Sequence, residues 1–256
     1  MKSQNVMPVV FLGHGSPLSA FENNIFTQSW QELGKNLETP KGIIILSAHW
    51  YTDDLRVTAS KDLKTIYDFY GFPDFMYEYD YQGKSDEELI QKVATLTGAK
   101  KDYEWGLDHG AWCLLKHMYP KSNVPVVQVS ISKNMSIGDY RTLAMNLSKL
   151  RKEGVLIIGS GNITHNLRNL DRSNSGIVFD WAINYENKIK AIFDSGDDNV
   201  LQELLQSEET KVAHSGIDHL IPALICSFFR EDGENYYYFN ESIVMGSLSM
   251  TSFYLK

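Results

Sequence analysis

Histidine is the residue of this sequence whose placement most clearly suggests chemistry. His14 and His49 each come directly after a short apolar run, in the segments FLGHGSP and ILSAHW, and His165 lies just beyond a third such run. Glycine or serine near each histidine leaves room for a bound molecule. Neutral imidazole is the commonest transition-metal ligand in proteins and suits zinc, iron and copper. The sequence therefore predicts a metal site built from histidines that are far apart in the chain.

The elements that must bring these histidines together alternate along the chain as strand and helix. Apolar runs predict strands over residues 8–12, 42–47, 55–59, 124–130 and 155–160. Amphipathic patterns predict helices over residues 23–37, 111–118, 136–151, 181–193, 199–205 and 222–229. A further helix is predicted to begin at Ser85, which has capping-box spacing with Glu88. Residues 236–239 and 243–250 are predicted to form a closing β-hairpin.

These elements favour an α/β fold. Runs that are apolar throughout suit strands buried on both faces, as in a parallel sheet covered by helices. The sequence contains no internal repeat and no linker rich in proline, glycine or serine. We therefore predict a single catalytic domain over residues 1–256, with a mostly parallel central sheet flanked by helices on both faces.

The predicted sheet explains how separated histidines could meet. Ligands of open α/β sheets bind outside the carboxyl ends of the strands, and His14, His49 and His165 all follow predicted strands. His219 would lie just before the helix at residues 222–229, and Asp218 beside it could cap that helix. All four histidines are therefore candidates for one crevice at the carboxyl edge of the sheet.

Four other residues that can bind metals have simpler interpretations. His117 falls inside a predicted helix and is assigned a structural role, whereas His214 is predicted to lie in a loop near His219 and its role stays open. Cys113 and Cys226 are far apart and form no CxxC motif, so we predict buried thiols rather than a disulfide or a thiolate zinc site.

The composition argues against several classes of partner. The net charge is −8 and no cluster of lysine or arginine is present, which argues against a nucleic-acid partner on electrostatic grounds and favours a small substrate. No apolar run approaches the roughly 18 residues that cross a bilayer. The first residues lack the apolar region of a signal peptide, so we expect no membrane partner and a cytoplasmic location. The sequence has no GxGxxG, Walker A or GxSxG motif.

Seven segments, taken in order, resemble the class III (LigB-type) extradiol ring-cleavage dioxygenases, and within them the DOPA 4,5-dioxygenase-like branch. The resemblance covers essentially the whole chain. It rests on FLGHGSP (11–17), ILSAHW (45–50), TIYDFYGFP (65–73), GLDHGAW (106–112), GSGNITHNL (159–167), DHLIPAL (218–224) and MGSLSM (245–250). Each segment alone is a weak signal, whereas their ordered combination is specific.

The resemblance implies roles for five histidines. His14, His49 and His219 would bind one divalent metal ion. His165 would be the acid/base residue and is also a candidate for a fourth contact to the metal, and His109 would contact substrate or dioxygen. The related protocatechuate enzymes use two histidines and a carboxylate, whereas this sequence has His219 where that carboxylate would come. The less negative ligand set leaves the identity of the metal open.

The resemblance also implies a reaction. A catechol such as L-DOPA would be opened at the 4,5 bond with O₂, giving a muconic semialdehyde. Fe(II) is the expected working metal, while Zn(II) could be the ion found bound, because it binds more tightly to nitrogen ligands. His165 would act first as general base on a catechol hydroxyl and then as acid.

The surroundings of these histidines have more than one interpretation. The aromatic segment at residues 65–81 could line the substrate pocket, act as a lid, or simply pack in the core. Asp68, Asp108 and Asn162 could hydrogen-bond to the histidine ligands or act only as cap and turn residues.

Two other functions fit the same histidines. A zinc hydrolase also uses three histidines and a water molecule. A binding protein on the same fold is the third hypothesis, since one fold can have unrelated functions. The sequence leaves the oligomeric state open between monomer and dimer.

Overall fold

The computed structural model of the protein describes residues 6–173 and 176–256. Most of the predicted strands form one eight-stranded sheet, in the order β6-β3-β7-β2-β8-β1-β12-β9. The strands are β1 Val9–Gly13, β2 Gly42–Thr52, β3 Arg56–Thr58, β4 Asp62–Leu63, β5 Gly83–Lys84, β6 Lys100–Asp102, β7 Val126–Ser132, β8 Val155–Gly161, β9 Tyr236–Phe239, β10 Ile243–Val244, β11 Leu248–Ser249 and β12 Ser252–Leu255. The central strands β7, β2, β8 and β1 are mutually parallel, while β12 and β9 extend the sheet in antiparallel pairing. The sheet is therefore mostly parallel, as predicted.

Helices cover both faces of the sheet, and this prediction is also confirmed. They are α1 Ile25–Asn36, α2 Glu87–Thr97, α3 His109–Met118, α4 Ile137–Arg151, α5 Asp180–Ser195, α6 Asp198–Gln206, α7 Glu208–Ala213 and α8 Ile221–Ser227. Short 3-10 turns occur at Pro17–Ala20, Asp74–Tyr77, Leu167–Asn169 and Ile217–His219. No helix in the described ranges has both the length and the apolar composition needed to cross a bilayer.

Alternation along the central strands creates two cores, one on each face of the sheet. Ile44 and Leu46 of β2 pack into the core that includes α4 and α8. Ile43 and Ile45 point to the other face and pack with residues of α1 and α3, such as Trp30. Both sides of β2 are buried because successive side chains of a strand point to opposite faces. The continuous apolar run of β2 is thus explained.

The predicted closing hairpin is wrong. Strand β9 pairs with β12, whereas β10 and β11 pair with each other in a separate two-stranded sheet. Met245 and Gly246 have φ values of 50° and 81°, which turn the chain back within residues 243–250. Left-handed conformations of this kind are typical of tight hairpin turns. The second half of the predicted hairpin is therefore two short strands, and β12 comes after it.

The predicted start of the helix at Ser85 is also slightly wrong. Asp86 is the N-cap of α2, and its side chain accepts a hydrogen bond from the backbone N–H of Leu89. The Ser85 hydroxyl instead donates to the carbonyl oxygen of Ser60. Aspartate is as good an N-cap as serine, so spacing alone did not separate the two.

Candidate metal centre

Three imidazoles form a cluster at the carboxyl edge of the central strands. His14 follows β1 directly, His49 lies within the last part of β2, and His219 ends the 3-10 turn that precedes α8. Their ring centroids are 5.0 Å apart for His14 and His49, 5.4 Å for His14 and His219, and 4.9 Å for His49 and His219. The fold thus brings together side chains from both ends of the sequence.

The position of His49 differs from the prediction, which placed it after the strand. Strand β2 continues to Thr52, and its pairing with β7 is irregular between Leu46 and Tyr51. His49 lies within this irregular stretch, where the regular alternation of the pleat is interrupted. Such irregularities commonly re-aim side chains next to functional sites.

Each of the three imidazoles has an oxygen atom beside its Nδ1. The distances are 2.9 Å from His14 Nδ1 to Ser160 Oγ, 3.2 Å from His49 Nδ1 to Asp68 Oδ2, and 2.6 Å from His219 Nδ1 to Asp218 Oδ2. An ionised carboxylate can only accept hydrogen bonds. The Ser160 hydroxyl uses its hydrogen on the carbonyl oxygen of Gly110, at 2.6 Å, and is therefore an acceptor toward His14. All three histidines consequently carry their proton on Nδ1.

This tautomer leaves three Nε2 lone pairs directed into one small space. His14 Nε2 and His49 Nε2 are 3.2 Å apart, and the buried Nε2 of His219 has no hydrogen-bond partner. One ligand atom from each residue lies within 4.8 Å of the other two. Lone pairs facing one another in a buried site are unfavourable unless a cation lies between them. The three residues therefore fit a divalent metal ion, and a set of imidazole nitrogens suits zinc, iron or copper.

Burial keeps most of these imidazoles neutral, which is the form that binds a metal. The pKa of His14 is lowered well below its usual value by burial and by the neighbouring histidines, and the pKa of His219 is lowered for the same reasons. Burial also acts to lower the pKa of His49. The hydrogen bond to Asp68 and the charges of Asp108, Asp68 and Asp218 outweigh it, so that the net shift is upward.

His109 lies against the cluster at the N-terminus of α3. Its ring centroid is 3.9 Å from that of His49 and 5.6 Å from that of His14. Burial and the nearby His49 lower its pKa, despite a hydrogen bond between its Nδ1 and Asp68 Oδ2 at 3.0 Å. Asp68 thus contacts two histidines, and His49, Asp68 and His109 form a second group of potential ligand atoms within 4.8 Å of one another.

His165 lies beside the three-histidine cluster and stacks on it. Its ring is parallel to that of His219, with an interplanar angle of 2° and a centroid separation of 3.6 Å. The group of three ligand atoms within 4.8 Å consists of His14, His49 and His219 and does not include His165. Burial, chiefly, lowers the pKa of His165 to about 4, so the ring is neutral at pH 7.

The two remaining histidines have structural contacts. His117 Nε2 lies 2.7 Å from the carbonyl oxygen of Ser19, which confirms its structural assignment. His214 Nε2 lies 2.9 Å from the carbonyl oxygen of Ile163, and residue 214 forms a β-bridge with His165. His214 therefore holds the segment that carries His165, and it lies outside the three-histidine cluster.

The predicted hydrogen-bonding partners of the histidines are confirmed in one case of three. Asp68 contacts His49 and His109, as described above. Asp108 is the N-cap of α3, and its carboxylate accepts from Ser47 Oγ at 2.7 Å and from the side chain of Gln128. Asn162 Nδ2 donates to the carbonyl oxygen of Ser249. Neither Asp108 nor Asn162 makes a side-chain hydrogen bond to the three-histidine cluster among the described contacts.

Two residues that contact the cluster were not predicted correctly from the sequence. The prediction for Asp218 was wrong, and Ser160 was not predicted to be a site residue. Asp218 was predicted to cap the following helix, but α8 has no side-chain cap and the Asp218 carboxylate contacts His219. Ser160 lies inside β8, and the sequence predicts it only as the last residue of an apolar strand. Its position in a GSG sequence, next to a predicted binding edge, was the only available signal.

Two glycines allow the close packing around the cluster. A Cβ atom on Gly161 would lie 2.2 Å from the carbonyl oxygen of His219, and one on Gly110 would lie 2.5 Å from Ser47 Oγ and 3.0 Å from His49 Cδ2. Side chains cannot be accommodated at such distances without displacing backbone or ligand atoms. The glycines of the GSGN and DHGAW sequences thus set how closely β8 and α3 approach the histidines.

Aromatic side chains from residues 65–81 pack beside the cluster. Phe69 makes an edge contact with His109, with ring centroids 5.7 Å apart, and also packs against Trp112 and Tyr77. Tyr70 is 92% exposed, so the same segment also reaches solvent. The segment therefore forms one wall next to His109. Its aromatic side chains do not serve only to fill the core.

Comparison with known proteins shows to which family the chain is similar. Residues 9–225 match the family described as the catalytic LigB subunit of aromatic ring-opening dioxygenase. The 4,5-DOPA dioxygenase extradiol of Escherichia coli (strain K12) is 35% identical over 257 residues, which cover 98% of this chain and 95% of that protein. The protein of the same name from Beta vulgaris is 33% identical over 229 residues, 85% of each chain.

A solved structure supports the fold as well. The crystal structure of an uncharacterized protein from Escherichia coli K12 superposes with a TM-score of 0.84 at 33% identity, over 97% of this chain and 99% of that one. Taken with the family match across most of the chain, these similarities show that the chain belongs to the LigB-type extradiol dioxygenases, aromatic ring-opening enzymes, in the DOPA 4,5-dioxygenase-like branch.

Proposed function

We propose that the chain, as one catalytic unit over residues 1–256, opens an L-DOPA-like catechol at the 4,5 bond with O₂ and forms a muconic semialdehyde. The observation that carries this proposal is the convergence of the His14, His49 and His219 imidazoles with their Nδ1 atoms already engaged. The names of the relatives from Escherichia coli and Beta vulgaris support the substrate and the position of cleavage.

His14, His49 and His219 would hold one divalent metal ion through Nε2, and Fe(II) would be the working ion. When bound, Fe(II) supplies the open coordination positions and the redox chemistry that ring opening by dioxygen requires. Zn(II) would bind the same nitrogen atoms more tightly than Fe(II) and could be the ion recovered after aerobic purification.

His165 would be the general base and later the general acid. It is half-buried against the ring of His219 and has a pKa of about 4, so it is neutral at pH 7 and can accept a proton from a catechol hydroxyl. The same proton could be returned as the ring opens. His109, which lies against His49 and His14, would contact the substrate or dioxygen.

The aromatic side chains near His109 would exclude water from the reacting ring. Phe69 and Trp112 are in contact with each other, and Phe69 also touches His109. A flat catechol ring packs well against aromatic edges and faces. Exclusion of water strengthens the electrostatic interactions inside the site and limits side reactions.

We also propose that the enzyme acts in the cytoplasm on a small dissolved substrate, without nucleic-acid or membrane partners. The net charge of −8 supports this, because phosphate-rich partners attract basic surfaces.

The test is an activity assay after controlled metal loading. The protein is purified without oxygen, stripped of metal, and given one equivalent of Fe(II) or of Zn(II). With Fe(II) and L-DOPA, we expect one O₂ consumed per catechol and a yellow product, whose cleaved bond is identified by NMR. The zinc-loaded protein should consume no O₂, because zinc has no redox chemistry. Absence of O₂ uptake with Fe(II) across a panel of catechols would contradict the proposal, and hydrolytic activity with zinc alone would favour a zinc hydrolase.

A further inference from the structure

One carboxylate, that of Asp68, contacts three donors from two different elements. Its Oδ1 accepts the backbone N–H of His109 at 2.8 Å, and its Oδ2 lies 3.0 Å from His109 Nδ1 and 3.2 Å from His49 Nδ1. The Asp68 side chain is 18% exposed and that of His109 is 6% exposed. The contacts therefore lie at the partly solvent-exposed edge of the site, and a hydrogen bond to the charged carboxylate is still stronger there than one between neutral groups.

The chemistry of a carboxylate determines the state of both imidazoles. Ionised Asp68 can only accept, so each neutral imidazole must present an Nδ1–H to it. The Nε2 atom of each ring is then left with a lone pair. His49 thus presents the lone pair that a metal needs, and His109 presents an acceptor to whatever lies beside it.

The position of His109 adds to the stability of this arrangement. His109 is the first residue of α3, and its backbone N–H is one of the helix donors that have no partner inside the helix. Asp68 accepts this N–H, and its negative charge lies at the positive end of the ten-residue helix. Asp68 therefore fixes the backbone of His109 as well as its ring.

Asp68 itself belongs to the segment of residues 65–81, here called the aromatic loop. The loop is anchored by a β-bridge between Thr65 and Leu107 and by a hydrogen bond from Tyr67 Oη to the carbonyl oxygen of Tyr79. The next residue, Phe69, packs on the ring of His109. Any displacement of this loop must therefore move the acceptor shared by His49 and His109.

We propose that Asp68 is a positioning residue that fixes the ring orientation and the Nδ1–H tautomer of His49 and His109 together, and so links the aromatic loop to the metal centre. The proposal rests on the proposed function insofar as His49 is a metal ligand and His109 an active-site residue. Removing such partners of ligand histidines typically lowers metal affinity 10–100-fold, and we expect about this loss for Asp68→Asn.

The first test needs neither metal nor substrate. In the metal-free protein, ¹⁵N NMR of labelled histidine, assigned with His49→Ala and His109→Ala, should show both rings with the proton on Nδ1. Asp68→Asn should change the tautomer of at least one ring, because the amide can accept with its oxygen but its nitrogen can only donate. Wild-type protein with His49 or His109 protonated only on Nε2 would overturn the proposal.

The second test measures metal affinity with a matched control from the same loop. Asp80 contacts Thr65 Oγ1 and the backbone N–H of Gln82 and makes no described contact with a histidine, so Asp80→Asn perturbs the loop alone. Calorimetric titration with Zn(II) should show about 10–100-fold weaker binding for Asp68→Asn and less than a threefold change for Asp80→Asn. Equal losses for the two variants would overturn the proposal in favour of general loop damage.

The stoichiometry of the same titration tests whether the Asp68 carboxylate and the two imidazoles bind a metal ion themselves. His49, Asp68 and His109 could themselves hold an ion, and two zinc ions per wild-type chain would overturn the positioning role. One zinc ion per chain is the expected result. A chain that shows these tautomers and affinities but never cleaves catechols would refute the proposed function and leave the role of Asp68 intact, so the two failures are distinguishable.

Discussion

The hydroxyl of Ser160 illustrates how single atoms determine the state of the cluster. Because this hydroxyl donates to the Gly110 carbonyl oxygen, it can only accept from His14 Nδ1. The Nε2 atom of His14 is thereby directed toward the other two histidines of the cluster. The Ser160 side chain is fully buried.

Ser160→Ala should therefore weaken metal binding without unfolding the protein. The loss of the acceptor frees His14 to change its tautomer or ring angle, and we expect about 10–100-fold lower affinity for Zn(II). Calorimetric titration measures this. Ser148→Ala, on the exposed face of α4, is the control and should bind like the wild type. Wild-type affinity in Ser160→Ala would show that the His14 tautomer does not depend on this contact.

His165→Ala should separate catalysis from metal binding. His165 stacks on His219 but lies outside the group of three ligand atoms, so most of the metal should remain while ring cleavage falls about 10²–10⁴-fold. Metal content and O₂ uptake are measured on the same Fe(II)-loaded sample. His117→Ala, at a histidine bonded to the Ser19 carbonyl oxygen, should remain active. Complete loss of metal from His165→Ala would mean that His165 is a ligand and not an acid/base.

At the scale of elements, the close approach of β8 to the turn that carries His219 depends on Gly161. A Cβ at this position would meet the His219 carbonyl oxygen at 2.2 Å. We expect Gly161→Ala to lower the free energy of unfolding by about 1–3 kcal/mol and to reduce metal affinity, because overpacking shifts the backbone. Urea denaturation and zinc titration measure the two effects.

The control for this prediction is Gly138→Ala in the first turn of α4, where an added Cβ has only Ser136 Oγ nearby, at 3.7 Å. Alanine within a helix is favoured over glycine by about 0.5–1 kcal/mol, so this variant should be as stable as the wild type or more so. Equal destabilisation of the two variants would contradict the close-approach argument.

Much of this framework was predictable from the sequence, because strand and helix patterns are local. The apolar runs of β1, β2, β7 and β8 gave the central sheet, and histidines after such runs pointed to its carboxyl edge. Pairing at the sheet edge is not local, which is why the partner of β9 was predicted wrongly. The contacts of Ser160 and Asp218 are also three-dimensional, since each depends on how close a second element comes to the side chain.

At the scale of the whole molecule, the buried guanidinium of Arg151 joins segments from both ends of the chain. Arg151, 1% exposed at the end of α4, donates to the carbonyl oxygens of Met7 and Phe229 and forms a two-point ion pair with Glu234. Removing one member of such a pair leaves a buried charge without its partner. This arrangement fixes the start of β1, and hence the backbone before His14, against the helical layer.

Glu234→Ala should therefore lower the free energy of unfolding by about 3 kcal/mol, because it leaves the buried charge of Arg151 without its carboxylate partner. Urea denaturation at pH 7 is the measurement. The control is Lys188→Ala, which breaks a half-exposed pair with Glu209 and should cost at most about 1 kcal/mol. A small effect of Glu234→Ala would mean that Arg151 is satisfied by the two carbonyl oxygens alone.

The central claim is that imidazoles from opposite ends of the chain bind one cation. The most direct measurement is a crystal structure of zinc-loaded protein, with anomalous scattering recorded at the metal edge. We predict a single peak about 2.0–2.1 Å from the Nε2 atoms of His14, His49 and His219. An anomalous peak bound by other residues, or no peak at these three nitrogens under saturating zinc, would contradict the account.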